Sequence, residues 1–191
     1  SKKNVTSTLH LCWGAQAGLY HHFGLKKRML KEKMFGLFWH RVSNRKIPLV
    51  RGFDDLFLAP HSRHTEVAAE DIHNCDKLMV LAESDEAGVF LCMTLDGRQI
   101  FVMGHPEYDR VTLDTEYWRD KNKGLPIEIP KNYYENDDPN NRPLLMWRSH
   151  ANNLYTKWLN YYVYKVTPYD LEGTPAFQGK KKIFLAGGCY I

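Results

Sequence analysis

The stretch "HLCWGAQAG" at residues 10–18 sets a cysteine between an apolar run and a cluster of small residues, Gly14, Ala15, Ala17 and Gly18. Before it, "TSTLHL" (6–11) reads as a short strand. After it, "WGAQAGLYHHFG" (13–24) reads as a helix closed by Gly24 as its C-cap. Strand, Cys12, helix puts the thiol on a sharp turn at a helix mouth, which is how an α/β fold presents a nucleophile. On this stretch alone a buried packing cysteine fits equally well. Turns of this type sit on central parallel strands that need neighbours on both edges, yet only "NVTSTLHL" (4–11) is available to build the strand, and no initiator Met precedes it. The chain is therefore expected to be the C-terminal part of a longer α/β protein.

Further along, "MFGLFWHRV" (34–42), "KLMVLAES" (77–84), "GVFLCMTL" (88–95) and "RQIFVMG" (98–104) read as strands, the last two joined by the hairpin signal Asp96-Gly97. "APHSRHTEV" (59–67) reads as a loop running into a strand, and 114–124 as a helix. A Pro/Asn/Asp-rich loop (125–143) follows, then a long amphipathic helix over 144–166. The 191 residues, 43% hydrophobic and 13% aromatic, have the composition of one globular domain. From Gly173 the periodicity lapses, so residues 1–172 are expected to be the domain and 173–191 an appended tail.

The 26 Lys+Arg against 22 Asp+Glu leave a net charge of +4, too weak and scattered for a nucleic-acid footprint. No apolar run approaches the roughly 18 residues of a membrane span. The four cysteines, at 12, 75, 92 and 189, show no CxxC spacing, which reads as free thiols in a reducing, cytoplasmic compartment.

Two constellations carry chemistry. A thiol of free pKa about 8.5 ionises near neutrality at a helix N-terminus beside a histidine, and the Trp13 N–H is placed to donate to an oxyanion. In "VMGHPEYDR" (102–110) an apolar strand ends at Gly104 and delivers His105 and, two residues on, Glu107. Positions i and i+2 of an extended segment share a side, so Glu107 can orient His105 toward a thiol, giving a Cys12, His105, Glu107 triad. A surface turn cornered by Pro106 is the plain alternative. His61 and His64 in "HSRHTE" lack a matching Cys/His cluster and read as neutral histidines of a polar loop, so no metal is expected. Arg63 and Arg119 are planar forks suited to a carboxylate, although surface pairing is the commoner fate of an arginine. Lys33 by itself is unremarkable.

The blocks "STLHLCWGAQAGLYHHFG", "KEKMFGLFWHRV", "RGFDDLFLAPHSRHTE", "GHPEYDRVTLDTEYWRD" and "WRSHANNLYTKWLNYYVYKVTPYDL" together resemble the homoserine O-acyltransferase family, the O-succinyl- or O-acetyltransferases of methionine biosynthesis, from about Ser7 to Leu171. The resemblance covers the C-terminal two thirds of such enzymes. It implies a flavodoxin-like α/β fold of three layers, like class I glutamine amidotransferases, without its N-terminal strands. It also implies that Cys12 carries an acyl thioester, that His105 and Glu107 complete the triad, and that Lys33, Ser62, Arg63 and Arg119 bind substrate. The substrates implied are L-homoserine and an acyl-CoA, with no bound cofactor, in a homodimer. A glutamine amidotransferase-like cysteine hydrolase, or a non-catalytic fragment, are the rival readings; the acyl group itself is left open.

Overall fold

The computed structural model describes residues 4–167. The expected tail over 173–191, and Cys189 with it, lies outside them. Six strands form one mixed sheet: β1 (Thr8–Leu11), β2 (Lys27–Val42), β3 (Leu56–Val67), β4 (Leu78–Ser84), β5 (Gly88–Thr94) and β6 (Gln99–Val102), in the spatial order β1-β6-β5-β4-β2-β3. Among these six strands β1 and β6 alone pair in parallel, with Leu11 beside Val102; the other strand pairings among the described residues are antiparallel. That single parallel pairing decides where the site lies. Both strands run out at the same edge, so the residues following them, Cys12 after β1 and Gly104-His105 after β6, emerge side by side.

The helices cover both faces. On β6, Ile100 and Val102 enter one core with Leu49, Val50, Phe57 and Leu154, whereas Phe101 and Met103 enter another with Ala15, Leu19 and Ile72. This alternation is the period-2 signature of a strand buried on both sides. The second face is covered by α1 (Trp13–Phe23) and α2 (Ala69–His73), and the first by α4 (Arg148–Lys157), which continues as a π-helical segment, Trp158–Tyr164. A third cluster, centred on Tyr133 and Trp147, packs α3 (Thr112–Asn122) beside Phe35, Leu37 and Leu58 of the β2/β3 hairpin. Among the described residues no helix is long and apolar enough to cross a membrane.

Three elements differ from their sequence reading. The charged run before Met34 belongs to β2: Lys27, Arg28 and Met29 pair with Val67, Glu66 and Thr65, with a register irregularity before Met34. Cross-strand pairing and the Arg28–Glu66 ion pair at 2.8 Å make it a strand, without an apolar pattern to reveal it. Residues 59–67 are strand throughout, because the buried polar residues there are satisfied by polar partners rather than by apolar neighbours. The helix expected from 144 starts at Arg148, beyond Pro143, and changes to i→i+5 bonding at Trp158, with Lys165 N–H donating to Asn160 O at 3.3 Å. The first strand, β1, which the sequence leaves without upstream neighbours, lies at the end of the strand order, paired with β6 alone among the described residues.

Candidate active site

Cys12 joins β1 to α1 with φ 44° and ψ −111°, a backbone region that costs a non-glycine residue about 1–3 kcal/mol. Two hydrogen bonds hold the turn: Cys12 N–H donates to Val102 O at 2.7 Å, and Cys12 O accepts from Gln16 N–H at 3.0 Å. The first-turn amides of α1, starting with Trp13, have no acceptor within the helix and give its mouth a partial positive charge. The small residues of "GAQAG" now have a reason. A Cβ on Gly18 would lie 2.9 Å from Phe101 Cε1, so Gly18 lets α1 sit close on β6, whereas Gly14 faces open space. Buried Gln16 then ties the helix to β3: its Nε2 donates to Thr65 O at 3.0 Å and its Oε1 accepts from Thr65 Oγ1 at 2.7 Å.

His105 follows the tight exit from β6. A Cβ on Gly104 would lie 2.8 Å from Pro60 O, the same carbonyl that accepts the His105 N–H at 2.9 Å. His105 Nδ1 is 2.7 Å from Glu107 Oε1, and the thiol of Cys12 acts on the same imidazole. Burial works against protonation of this imidazole, but hydrogen bonds to Cys12 and Glu107 and the charges of both outweigh it and raise the pKa from 6.5 to about 9. The Tyr108 ring stacks on the imidazole, centroids 4.1 Å apart at 13°. Burial, and then the charges of Glu116, Cys12 and Glu107, push the Tyr108 phenol far above its usual range, which sets all three groups around one ring.

Three of the four expected binding residues converge on Glu116. Lys33 Nζ lies 2.6 Å from its Oε1 and Ser62 Oγ donates to both carboxylate oxygens at 2.9 Å. Arg119 Nη2 is 3.8 Å away, while the fork itself is bidentate to Asp120 at 2.6 and 2.9 Å. Arg63 does not join them. It is buried, 5% exposed, and its two terminal nitrogens donate to Thr65 O at 2.8 Å and Ala87 O at 2.7 Å, so its fork is engaged by backbone rather than open to a ligand. The polar-loop reading of "HSRHTE" also gives way. His61 is fully buried in β3, and His64, three residues on, points to the other face of the strand, so the two cannot share a ligand. Among the described residues no group of three or more His, Cys, Asp or Glu is arranged to hold a metal ion.

Sequence reasoning missed Glu116, Tyr108, Gln16 and the buried His40–His61 pair. Glu116 had a signal, since it stands one helical turn before Arg119 and therefore shares its face. Tyr108 and His40 had none, because what matters about them is a contact made across the fold. Next to Cys12 in the chain, Trp13, Gln16, Ala17 and Tyr20, with Lys26 and Lys27, line a groove of about 360 Å³. Trp13 is 67% exposed there, with Lys27 Nζ 6.0 Å from its ring.

Among solved structures the chain is similar to a glutamine amidotransferase from Thermotoga maritima, with TM-score 0.56 and 14% identity over 82% of this chain and 62% of that one. It is similar also to a glutamine amidotransferase from Methylobacillus flagellatus, with TM-score 0.51 and 11% identity over 79% and 61%. These likenesses establish the α/β fold. Curated relatives named homoserine O-acetyltransferase are much nearer in sequence. That of Lachnoclostridium phytofermentans is 68% identical over 171 residues, covering 90% of this chain and 57% of the relative. Those of Agathobacter rectalis and Brevibacillus brevis are 63% and 61% identical, over 94% and 89% of this chain and 58% and 56% of theirs. The chain thus spans less than three fifths of the length of these relatives. The sequence profile of the homoserine O-succinyltransferase family matches residues 1–169, and the chain belongs to that family.

Proposed function

We propose that this chain carries the catalytic centre of an acyltransferase that moves an acyl group from acyl-CoA to the hydroxyl of L-homoserine by way of Cys12. The observation that carries the reading is the strained Cys12 turn beside a His105 that Glu107 holds from behind. The sulfur attacks the thioester carbonyl, the first-turn amide of Trp13 donates to the oxyanion, and the C–S bond to CoA breaks as the departing CoA thiolate takes the proton of His105. One thioester replaces another at nearly equal energy.

The raised basicity of His105 then acquires a use. While the sulfur is anionic the imidazole is held protonated, and this proton is the one available to the leaving thiolate. Once the sulfur is acylated, the hydrogen bond and charge that raised the pKa are gone. His105 is then a neutral base, oriented by Glu107, that takes the proton of the homoserine hydroxyl as its oxygen attacks the acyl carbonyl. The amino acid's carboxylate is bound by Lys33 and Arg119 with Ser62, and its ammonium group by Glu116. The groove flanked by Lys26 and Lys27 suits the phosphate-bearing end of the donor. The names of the relatives favour acetyl as the acyl group, in the cytoplasmic route to methionine.

Ping-pong kinetics test the reading. Acetyl-CoA mixed with the protein releases free CoA in a burst before homoserine is added, and lines of reciprocal rate at several homoserine concentrations are parallel. Intersecting lines with no burst, or ammonia released from glutamine instead, would overturn it.

A further inference from the structure

Behind the catalytic pair lies a chain of polar side chains that the proposed chemistry does not use. His61 and His40 stack with centroids 5.1 Å apart, and their Nε2 atoms are 3.1 Å from each other. Phe38, Phe57 and Phe90 surround them, and both rings are fully buried. Arg63 Nε approaches His61 Nδ1 at 3.4 Å. Burial above all, then the charge of His40 on His61 and that of Arg63 on both rings, drives the two histidines strongly toward the neutral form, with His40 lowered to about 3.

The donor inventory fixes every proton in this chain. Arginine can only donate, so His61 Nδ1 must accept. A neutral His61 then carries its hydrogen on Nε2 and donates it to His40 Nε2. His40, accepting there, carries its own hydrogen on Nδ1, a buried atom that meets only the Phe38 backbone, short of good hydrogen-bond geometry. With its Nε committed to His61 and its terminal nitrogens to Thr65 O and Ala87 O, Arg63 is held on all three sides. The near end of the network touches both catalytic elements. Thr65 O also accepts from Gln16, whose own amide closes the first turn after Cys12. His61 lies 3.2 Å from where a Gly104 Cβ would stand, immediately before His105. The charge that bears most on Arg63 is that of Glu66, whose carboxylate is 3.8 Å away, and that of Cys12 comes after it.

We infer that His40 and His61 are positioning residues that lock Arg63, through a single directional run of hydrogen bonds, as a fixed buried cation serving the Cys12 sulfur. Arg63 thus acts on the anionic nucleophile rather than gripping the substrate's carboxylate. The charged and titratable groups around Cys12 are then His105, Glu107 and Tyr108 from the loop after β6, Arg63 from β3 with Glu66 paired to it, and Glu116 from α3 beyond Tyr108. The inference rests on Cys12 being the reactive thiol, and it is tested here without acyl transfer.

The test uses the intact chain and two readouts. The first is the rate of Cys12 carboxamidomethylation by iodoacetamide, followed on the Cys12 peptide by mass spectrometry across pH. Arg63→Met is expected to slow the reaction roughly tenfold at neutral pH and to move the profile to higher pH. His61→Phe, which keeps the aromatic packing but breaks the chain, is expected to do so several-fold. A purely packing role would lower the melting temperature and leave the profile in place, which would overturn the inference. The second readout is long-range 15N–1H correlation on the unmodified chain, which needs no variant to fold. His61 protonated on Nε2 and His40 on Nδ1 support the inference; the reverse assignment for His61, or a charged His61, overturns it. A Cys12 that fails to react in the unmodified chain would instead overturn the reading of Cys12 as a nucleophile, and this inference with it.

Discussion

At the scale of single residues, the decisive quantity is the charge state of one imidazole. The folded pKa of His105 stands at about 9, above the 6.5 of an unperturbed histidine. The stabilisation it represents is therefore complete below 6.5 and is lost as pH climbs through about 9. Two of the four raising causes come from Cys12 and two from Glu107. In Cys12→Ala, the His105 midpoint followed by NMR should consequently fall well below 9, and in Glu107→Gln it should also fall. A midpoint still near 9 in Cys12→Ala would mean that sulfur and imidazole do not interact, and the switch from acid to base on acylation would have no basis. The sequence allowed these three residues to be grouped because each announces itself: Cys12 by the small residues after it, and His105 and Glu107 by their i, i+2 spacing at a strand end. Arg63 was misread as an open fork, because nothing in "HSRHTE" tells that Thr65 and Ala87 carbonyls will close on it.

At the scale of elements, the parallel pair β1 and β6 governs the site, and glycines at their exits set its tolerances. Gly104→Ala brings a Cβ to 2.8 Å from both the Pro60 carbonyl and the Phe90 ring. Relief requires the backbone carrying His105 to move. The expected cost is about 1–3 kcal/mol in denaturant unfolding, with a loss of Cys12 reactivity. Gly14→Ala is the internal control. Nothing lies within 4 Å of its Cβ, and in the first turn of α1 the change should be neutral or stabilise by up to about 1 kcal/mol. Equal effects at the two positions would contradict the packing described. Strands with apolar alternation, β4 to β6, were legible in the sequence. The start of β2 and the length of β3 were not, because cross-strand ion pairs and buried polar side chains sustain them. The change from α to π bonding at Trp158 likewise leaves no mark on the residue pattern.

At the scale of the whole molecule, the sheet separates two apolar cores, and each has its own helix. Leu19 on α1 and Leu154 on α4 are both essentially fully buried, on opposite faces. Replacing either by Ala should cost about 2–5 kcal/mol. Sharing no partners across the sheet, the two losses should add to within about 0.5 kcal/mol in the double variant. Strong non-additivity in denaturant titrations would mean that the layers are not independently packed. The site occupies the edge of this sandwich where β1 and β6 end, with α3 bringing Glu116 and Arg119 to it from a third cluster. That convergence joins Glu116 to Lys33 and Ser62, 83 and 54 positions before it, so spacing could show only its place one helical turn before Arg119 and not the partners it meets across the fold.

The account stands on Cys12 as the atom that holds the acyl group in transit. Its most direct measurement is to incubate the chain with acetyl-CoA in the absence of homoserine, quench in acid and locate the acyl adduct by peptide mass spectrometry. The account predicts an acetyl group on Cys12 that disappears when homoserine is supplied. An adduct on any other residue, or undiminished transfer by Cys12→Ala, would contradict it.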